Sequence, residues 1–432
     1  MKKIIALLLA CLMVLGMAAC APADNATTTA GTNAPADDTT GAIVDTTAGD
    51  VVAEDIALKV WGPQGELGEN NDGWLPKMCE AFDEAHPEWN ITWTYEVCGE
   101  GDAGNNVTKD PTVAGDIYFF ANDQLGTLLQ ANAIARLGGE TLAQIESDNT
   151  DEMIASVSVD GAVYGVPFTT NTWFMYYDTS VFSAEDVKSL ETMLEKGKVS
   201  FPLTTGWYFG SFYVANGGTF FGDGTDASKG IDFAGDKGVA VTKYLVDLVK
   251  NPNFVNDADG AGKAGLADGS VNAIFSGTWD AKAVKEALGE NWAAAVPPTF
   301  LIGGEAKQIT PFGGSKAIAV NPNSANPKAA AALAAYLATP EAQLAHYEFN
   351  GTAPVSTTLL SENDTIKADL SCAIAVETVG KYAVVQPSIP EMGAYWGSAE
   401  SMAKAIYNGE VTADNAEQKT ADFNTALNDS GL

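Results

Sequence analysis

The chain has 432 residues, too many for one compact core, and 46% of them are hydrophobic, so it can form two α/β domains of ordinary size. Charged residues make up only 18%, and the 43 glycines are typical of a globular α/β protein rather than a disordered one. The formal net charge of −33 repels phosphate backbones and anionic lipid headgroups, which argues against a nucleic-acid partner.

The N-terminus has the features of an export signal rather than of a folded domain. Two lysines precede an apolar run over 4–17, and two alanines stand directly before Cys20. The apolar run is too short to span a bilayer comfortably. We therefore predict a signal peptide over 1–19, with Cys20 as the lipidated first residue of a protein anchored at the outer face of the cell membrane.

A polar segment over 20–55 follows the signal and consists mainly of Ala, Thr, Asp, Gly and Pro. It has too few large apolar side chains to offset the entropy of ordering, so we predict a flexible linker. A coil of this length spans about 30 Å, which would hold a domain off a membrane. A long tether on a lipoprotein indicates a Gram-positive envelope.

Three cysteines lie beyond the anchor, at positions 79, 98 and 372. Cys79 falls in a predicted helix and Cys98 at the end of the next strand, and such elements pack side by side in a βαβ unit. Measured from their shared connection, however, Cys79 lies ~10 Å along the helix and Cys98 ~23 Å along the strand. The sequence leaves open whether these two form a disulfide or stay free. We expect Cys372 to be a small core residue.

The periodicity of apolar residues predicts alternating strands and helices with largely parallel sheets. Strands are predicted at 56–61, 91–97, 116–120, 162–167, 173–177, 271–275 and 316–320. Helices are predicted at 74–82, 125–134, 183–196, 239–250, 281–288, 326–338, 399–407 and 413–427. A Gly-rich loop follows the strand at 91–97, and the order of elements predicts an α/β protein.

Catalytic and metal-binding motifs are poorly supported. Gly-x-Ser-x-Gly does not occur, and the two histidines, His86 and His346, stand far apart in the sequence, which disfavours a triad or a zinc site. Gly99-Glu-Gly-Asp-Ala-Gly matches a dinucleotide fingerprint after a strand, but acidic residues lie where phosphates would sit. The segment 257–260 resembles only part of a calcium loop. We therefore predict no enzyme, no cofactor and no metal site.

Aromatic residues are more informative, because several stand at the ends of predicted strands beside small or polar residues. Sugars bind by stacking on aromatic rings while carboxylates and amides bridge their hydroxyls. Asp123 follows the carboxyl end of a predicted parallel strand, where ligands bind in open α/β sheets. The set therefore indicates a carbohydrate site, and its aromatic members are Trp61, Phe120, Trp173, Tyr208, Trp279 and Trp396.

The order of segments over 56–427 resembles the maltose/maltodextrin-binding branch of the ABC-transporter solute-binding proteins, in its Gram-positive lipoprotein form. The segments are KVWGPQG, DIYFFANDQLGTLLQANAIARL, DGAVYGVPFTTNTWFMYYD, GWYFGSFYVANGG, DGSVNAIFSGTWD, PFGGSKAIAVNPNS and IPEMGAYWGSA. This resemblance implies a periplasmic-binding-protein-like fold of two discontinuous α/β lobes joined by a hinge, each a mostly parallel sheet flanked by helices.

The resemblance also implies lobe boundaries, with crossings near 168–172, 311–315 and 361–367. The N-terminal lobe would comprise 56–169 and 316–363. The C-terminal lobe would comprise 170–315 and 364–432.

By position in the family pattern, Asp123 is expected to bind sugar hydroxyls and Trp279 and Trp396 to stack on sugar rings. Tyr208 matches a stacking tyrosine, although Trp207 takes that role under a one-residue shift. The full set of expected ligand contacts is Gln64, Phe120, Asp123, Asn171, Trp173, Tyr208, Trp279 and Trp396. Asn171 replaces a common glutamate and Gln124 a common arginine, so the charged rim is thinner than in the family pattern.

The function implied by the resemblance is capture of maltose or maltodextrin-type α-glucans outside the cell, as a monomer, and delivery to ABC permease subunits. A galacto- or arabino-oligosaccharide is an alternative ligand. An extracellular glycoside hydrolase is an alternative of another class, because 56 acidic residues always supply some suitable carboxylate pair. A surface adhesin or signalling lipoprotein is a third alternative.

Overall fold

The computed structural model describes residues 43–44, 54–258 and 260–429. The predicted signal peptide, Cys20 and most of the predicted linker lie outside the described residues. Among the described residues, no helix has both the length and the apolar character needed to cross a bilayer.

The strands in the described part of the chain are β1 (Ile43–Val44), β2 (Glu54–Gly62), β3 (Trp89–Val97), β4 (Ile117–Ala121), β5 (Arg136–Leu137), β6 (Ser158–Val159), β7 (Ala162–Val163), β8 (Gly165–Thr170), β9 (Phe174–Asp178), β10 (Val199–Phe201), β11 (Thr219–Phe220), β12 (Ile231–Asp232), β13 (Phe254–Asn256), β14 (Ala273–Ser276), β15 (Trp292–Ala295), β16 (Thr299–Ile302), β17 (Glu305–Gln308), β18 (Phe312–Gly313), β19 (Ser315–Val320) and β20 (Val384–Val385).

The α-helices of the same part are α1 (Gln64–Leu67), α2 (Trp74–Ala85), α3 (Ala103–Val107), α4 (Leu125–Gln130), α5 (Gly139–Asp148), α6 (Asp151–Ser156), α7 (Leu190–Lys196), α8 (Gly206–Ala215), α9 (Phe221–Gly224), α10 (Gly235–Leu248), α11 (Ala261–Asp268), α12 (Ala281–Leu288), α13 (Pro327–Leu337), α14 (Pro340–Asn350), α15 (Thr357–Glu362), α16 (Asp364–Ala368), α17 (Leu370–Lys381), α18 (Gly393–Tyr407) and α19 (Ala416–Leu427). Short 3₁₀ helices include Glu100–Asp102, Asn122–Gln124, Thr278–Asp280 and Pro390–Met392.

Two five-stranded sheets organise the chain into two lobes with the same plan. The first sheet has the order β3-β2-β4-β19-β8 and the second the order β13-β10-β14-β9-β15. In each sheet three neighbouring strands run parallel, and one strand near the other edge, β19 or β9, runs antiparallel to both its neighbours. The carboxyl ends of the parallel strands thus meet at one edge of each sheet, where ligands bind in open α/β proteins.

The central strands are apolar throughout because helices cover both faces of each sheet. In β9, Met175 and Tyr177 belong to one buried cluster, whereas Phe174 and Tyr176 belong to a second cluster on the opposite face. Successive side chains of a strand point to opposite faces, so a strand covered on both sides has no polar alternation. The same holds for β4, whose five residues are all buried.

Three segments run together between the two sheets. The amide of Thr170 donates to the carbonyl of Ala353 over 3.1 Å, and the amide of Asn171 donates to the carbonyl of Gly314 over 2.9 Å. The Thr172 hydroxyl donates to the carbonyl of Phe312 over 2.8 Å. These bonds tie the connections after β8, before β19 and after α14 into one multi-strand junction.

The last of these connections bears on the third crossing, which the resemblance implied near 361–367. Helix α14 ends at Asn350, and the next residue, Gly351, has a φ of +79° that turns the chain back to the junction. Ala353, Leu359 and Ile366 then lie in a buried cluster of the second lobe. We therefore propose a third crossing near 351–354 in place of 361–367.

Several predicted helices end elsewhere for local reasons. The helix predicted over 125–134 stops at Gln130, because Asn132 takes a left-handed conformation with φ +49°. The helix predicted over 183–196 is split, since the Ser189 side chain accepts from the amide of Thr192 and starts α7 there. The predicted Gly-rich loop after β3 contains the short helix α3.

The disulfide considered between Cys79 and Cys98 is corrected by the structure, in which both are free and buried. Cys79 is hydrogen-bonded to Tyr95, and burial is the main reason that the pKa of its thiol rises to about 12. Cys98 stands three residues beyond Tyr95, ~10 Å further along the strand direction, and is contacted by Asn106 Nδ2 at 3.8 Å. The offset between helix and strand therefore keeps the two sulfurs apart. Cys372 is also a free, buried thiol, as expected.

Candidate functional site

A set of polar side chains lies at the edge of the first sheet, and we call it the polar wall. Its members are Glu100, Asp123, Gln124 and Lys316. Asp123 and Gln124 lie in the 3₁₀ turn directly after β4. Lys316 lies near the start of the antiparallel β19, paired in register with Ala121, the last residue of β4. The reversal of β19 thus brings a lysine beside the carboxyl end of a parallel strand.

Asp123 is partly exposed, and its carboxyl group has an altered pKa. Burial raises its pKa to about 6, although a hydrogen bond from Gln124 and the charge of Lys316 both favour the ionised form. Gln124 Nε2 donates to Asp123 Oδ2 over 2.6 Å. At neutral pH the carboxylate is therefore an anchored acceptor for hydroxyl groups.

Three partly exposed tryptophans lie in the second lobe, and we call them the tryptophan platform: Trp207, Trp279 and Trp396. Trp207 lies in the first turn of α8, Trp279 in the 3₁₀ turn after β14, and Trp396 in the first turn of α18. The rings of Trp207 and Trp279 are 6.1 Å apart between centroids, with an interplanar angle of 40°.

One close backbone approach and two hydrogen bonds hold the tryptophan platform in place. A Cβ atom at Gly277 would lie 2.1 Å from Cζ3 of Trp279, so that ring rests directly on the glycine backbone. The Trp207 indole donates from Nε1 to Gln386 Oε1 over 2.8 Å. The Tyr395 hydroxyl donates to the Gly206 carbonyl over 2.7 Å, which fixes the start of α18 against the start of α8.

The polar wall and the tryptophan platform meet across the gap between the lobes. Lys316 Nζ lies 5.2 Å from the centroid of the Trp279 ring and 3.2 Å from Glu100 Oε1. The apolar faces of the tryptophan rings thus stand opposite carboxylate, amide and ammonium groups. This arrangement suits a sugar, because a sugar ring has apolar faces and a rim of hydroxyls.

Two predicted contact residues, Phe120 and Trp173, are corrected by their burial. Both side chains are 0% exposed, so neither presents a face for stacking. Phe120 lies in the first-lobe core because β4 is covered on both faces. Trp173 packs on Tyr208, with ring centroids 5.0 Å apart, inside the second-lobe core.

The other predicted residues differ in their relation to the site. Tyr208 is only 9% exposed. The more accessible ring is that of its neighbour Trp207, which lies against Trp279. Asn171 is buried in the junction, where its Nδ2 donates to Asn122 Oδ1 over 3.2 Å. Gln64 is exposed and donates from Nε2 to the carbonyl of Gly68 within its own turn. Asp123 directly follows β4 in the first lobe, and Trp279 and Trp396 belong to the tryptophan platform of the second lobe.

Sequence reasoning missed Lys316 and Glu100 as members of the site. A signal existed for Lys316, because it is a charged residue directly before the apolar run 317–320 of its strand. No such signal marked Glu100, which pairs with a residue 216 positions away. No group of three or more His, Cys, Asp or Glu side chains is arranged to hold a metal ion in the part of the chain that the structure describes.

A family model described as a bacterial extracellular solute-binding protein matches residues 77–372. The chain belongs to this family. The predicted family resemblance is thereby confirmed, and membership assigns solute binding outside the cell as the general activity of this solute-binding protein.

Two relatives of this solute-binding protein have names that refer to an oligosaccharide. The maltodextrin-binding protein MdxE of Bacillus subtilis (strain 168) is 28% identical over 327 residues, 70% of this chain and 73% of the relative. The galactooligosaccharide-binding protein of the same organism is 25% identical over 328 residues, 71% of this chain and 75% of the relative.

Solved structures resemble this chain over most of its length. A protein solved with acarbose is 52% identical, with a TM-score of 0.84, over 87% of this chain and 99% of that one. The maltodextrin-binding protein MalE1 from L. casei BL23, solved without ligand, is 25% identical, with a TM-score of 0.77, over 86% of this chain and 98% of that one. The predicted two-lobed, periplasmic-binding-protein-like fold is confirmed.

Proposed function

We propose that this solute-binding protein captures maltodextrin-type α-glucan oligosaccharides between its lobes and delivers them to the permease of an ABC importer. The observation that carries the proposal is the tryptophan platform facing the polar wall. The names of the maltodextrin-binding relatives and the structure solved with acarbose support the same ligand class.

The magnitude of the expected affinity follows from the site. Aromatic stacking contributes about 0.5–1.5 kcal/mol per ring, so the three platform rings supply a few kcal/mol. Hydrogen bonds from the polar wall to sugar hydroxyls supply the remainder of the ~8 kcal/mol that a micromolar dissociation constant requires.

Calorimetric titration with maltose, maltotriose and maltoheptaose tests this proposal. Saturable binding to the malto-series at about micromolar concentration supports it. Binding confined to galacto-oligosaccharides would replace the ligand, and this second candidate is kept because one relative carries that name at similar identity. Absence of binding to either series would contradict a carbohydrate function.

We propose further that the protein acts without catalysis. The carboxylates of the polar wall already have partners, since Glu100 pairs with Lys316 and Asp123 accepts from Gln124. A glycosidase instead needs two carboxyl groups placed on either side of a scissile bond. Incubation with maltoheptaose followed by chromatography should show no shorter sugar. A released product would contradict this statement.

We also propose that the protein works as a monomer anchored to the outer face of the membrane through a lipid on Cys20. The sequence before Cys20 supports this, because an apolar run and two alanines stand directly before the cysteine. Replacement of Cys20 by Ala should release the protein into the medium. Continued retention of that variant on membranes would contradict the anchor.

A further inference from the structure

Lys316, a member of the polar wall, contacts the opposite lobe. Its backbone belongs to β19 of the first sheet, whereas its ammonium lies 5.2 Å from the ring centroid of Trp279 in the second lobe. A cation at this distance from an indole is attracted by the ring quadrupole. The contact therefore joins the two lobes at the position where the tryptophan platform meets the polar wall.

Glu100 fixes the direction of the Lys316 side chain. The ion pair measures 3.2 Å, and both side chains are about one-fifth exposed. A lysine stem carries considerable rotamer freedom, which an ion pair in a partly dry site reduces. Without Glu100, the ammonium would lose the partner that directs it towards the platform.

Access to Trp279 is limited on one side, because its ring rests on the backbone of Gly277. Lys316 lies over the ring, and the charge of the same lysine favours the ionised form of Asp123. An ammonium that can donate thus lies over the aromatic ring, and its charge also acts on a carboxylate that can accept. Sugar hydroxyls both donate and accept, so this combination suits a neutral sugar ring.

We propose that Lys316 is a ligand-positioning residue for the sugar ring bound at Trp279, directed by Glu100. The inference rests on the proposed function. In the free protein the ammonium covers the indole, and when sugar enters, rotation of its four-carbon stem transfers it to the ring hydroxyls. Glu100 keeps the ammonium at the site in both states, so Lys316 links lobe closure to the presence of a hydroxyl-bearing ring.

Titration with maltotriose of the wild type and of Lys316→Met, Glu100→Gln and the double variant tests this assignment. Loss of a charged hydrogen bond predicts about tenfold weaker binding for Lys316→Met, and about threefold for Glu100→Gln. The double variant should bind no more weakly than Lys316→Met alone, because Glu100 acts through the lysine. Lys316→Arg, which keeps the cation, should recover most of the affinity.

The pH dependence of binding separates positioning from a merely structural effect. Removal of the lysine charge should move the midpoint of the affinity profile to higher pH, since Lys316 favours the ionised form of Asp123. Lys250→Met is the matched control, because Lys250, in the turn after α10, forms an exposed ion pair with Asp247. That variant should show the wild-type affinity and profile.

These titrations separate the role of Lys316 from the proposed sugar-binding function. A wild type that binds maltotriose, together with a Lys316→Met variant of equal affinity and unchanged pH profile, overturns the role of Lys316 alone. A wild type that binds no sugar overturns the proposed function and this inference with it. Additive losses in the double variant would contradict the part assigned to Glu100.

Discussion

Trp207 and Tyr208 are adjacent in the sequence, yet the structure assigns them opposite roles. Trp207 is partly exposed and faces Trp279, whereas Tyr208 is 9% exposed and packs on Trp173. We therefore predict that Trp207→Ala impairs binding with little effect on folding, and that Tyr208→Ala impairs folding first.

The magnitudes follow from the contacts that each substitution removes. Trp207→Ala removes a stacking surface and the 2.8 Å bond to Gln386, so sugar affinity should fall about tenfold, equivalent to ~1.4 kcal/mol. Tyr208→Ala leaves a cavity beside Trp173 and Phe201, and large-to-small changes of a buried aromatic cost about 3–5 kcal/mol. The melting temperature should then fall by about 10 °C.

Calorimetric titration with maltotriose and thermal unfolding of both variants test these two roles. Trp93→Ala is a control for loss of a partly exposed tryptophan, since the ring of Trp93 contacts Tyr95 and Phe82 in the first lobe. That variant should bind maltotriose normally. Wild-type affinity in Trp207→Ala, combined with weak binding in a stably folded Tyr208→Ala, would refute the reasoning.

Three further predictions concern other parts of the site and the core. Gly277→Ala should weaken maltotriose binding about tenfold with little change in melting temperature, because its new methyl group must displace the Trp279 ring. Unchanged affinity in this variant would contradict the role of Trp279. The affinity for maltotriose should be constant above about pH 7 and fall below pH 6, because Asp123, whose pKa is raised to about 6, becomes protonated. Asp123→Asn should bind weakly and without that pH dependence. A pH profile of Asp123→Asn identical to that of the wild type would refute the assignment. Melting temperature should be the same with and without dithiothreitol because Cys79 and Cys98 are free; destabilisation by the reductant would indicate a disulfide instead.

Much of the fold could be predicted from the sequence because apolar runs and helical periodicity report burial directly. Strands β4 and β9 are continuous apolar runs, since both faces of their sheets are covered. Helix ends were harder to predict, because they depend on single residues such as Asn132 in a left-handed conformation and Ser189 as a cap.

The site could be predicted only where a residue's neighbours along the chain reveal its surroundings. Asp123 and Trp279 directly follow strands, so their place at a sheet edge could be inferred. Phe120 and Trp173 also stand near polar residues, but that criterion does not say which way a side chain points. The pairing of Lys316 with Glu100 depends on β19 returning to the first sheet after a long excursion, which local sequence does not show.

A crystal structure of the protein with maltotriose would test the central claim most directly. We expect a sugar between the lobes, with rings stacked on Trp207 or Trp279 and hydroxyls bonded to Asp123 and Lys316. A sugar bound away from the tryptophan platform, or a cleft that stays empty at saturating maltotriose, would contradict it.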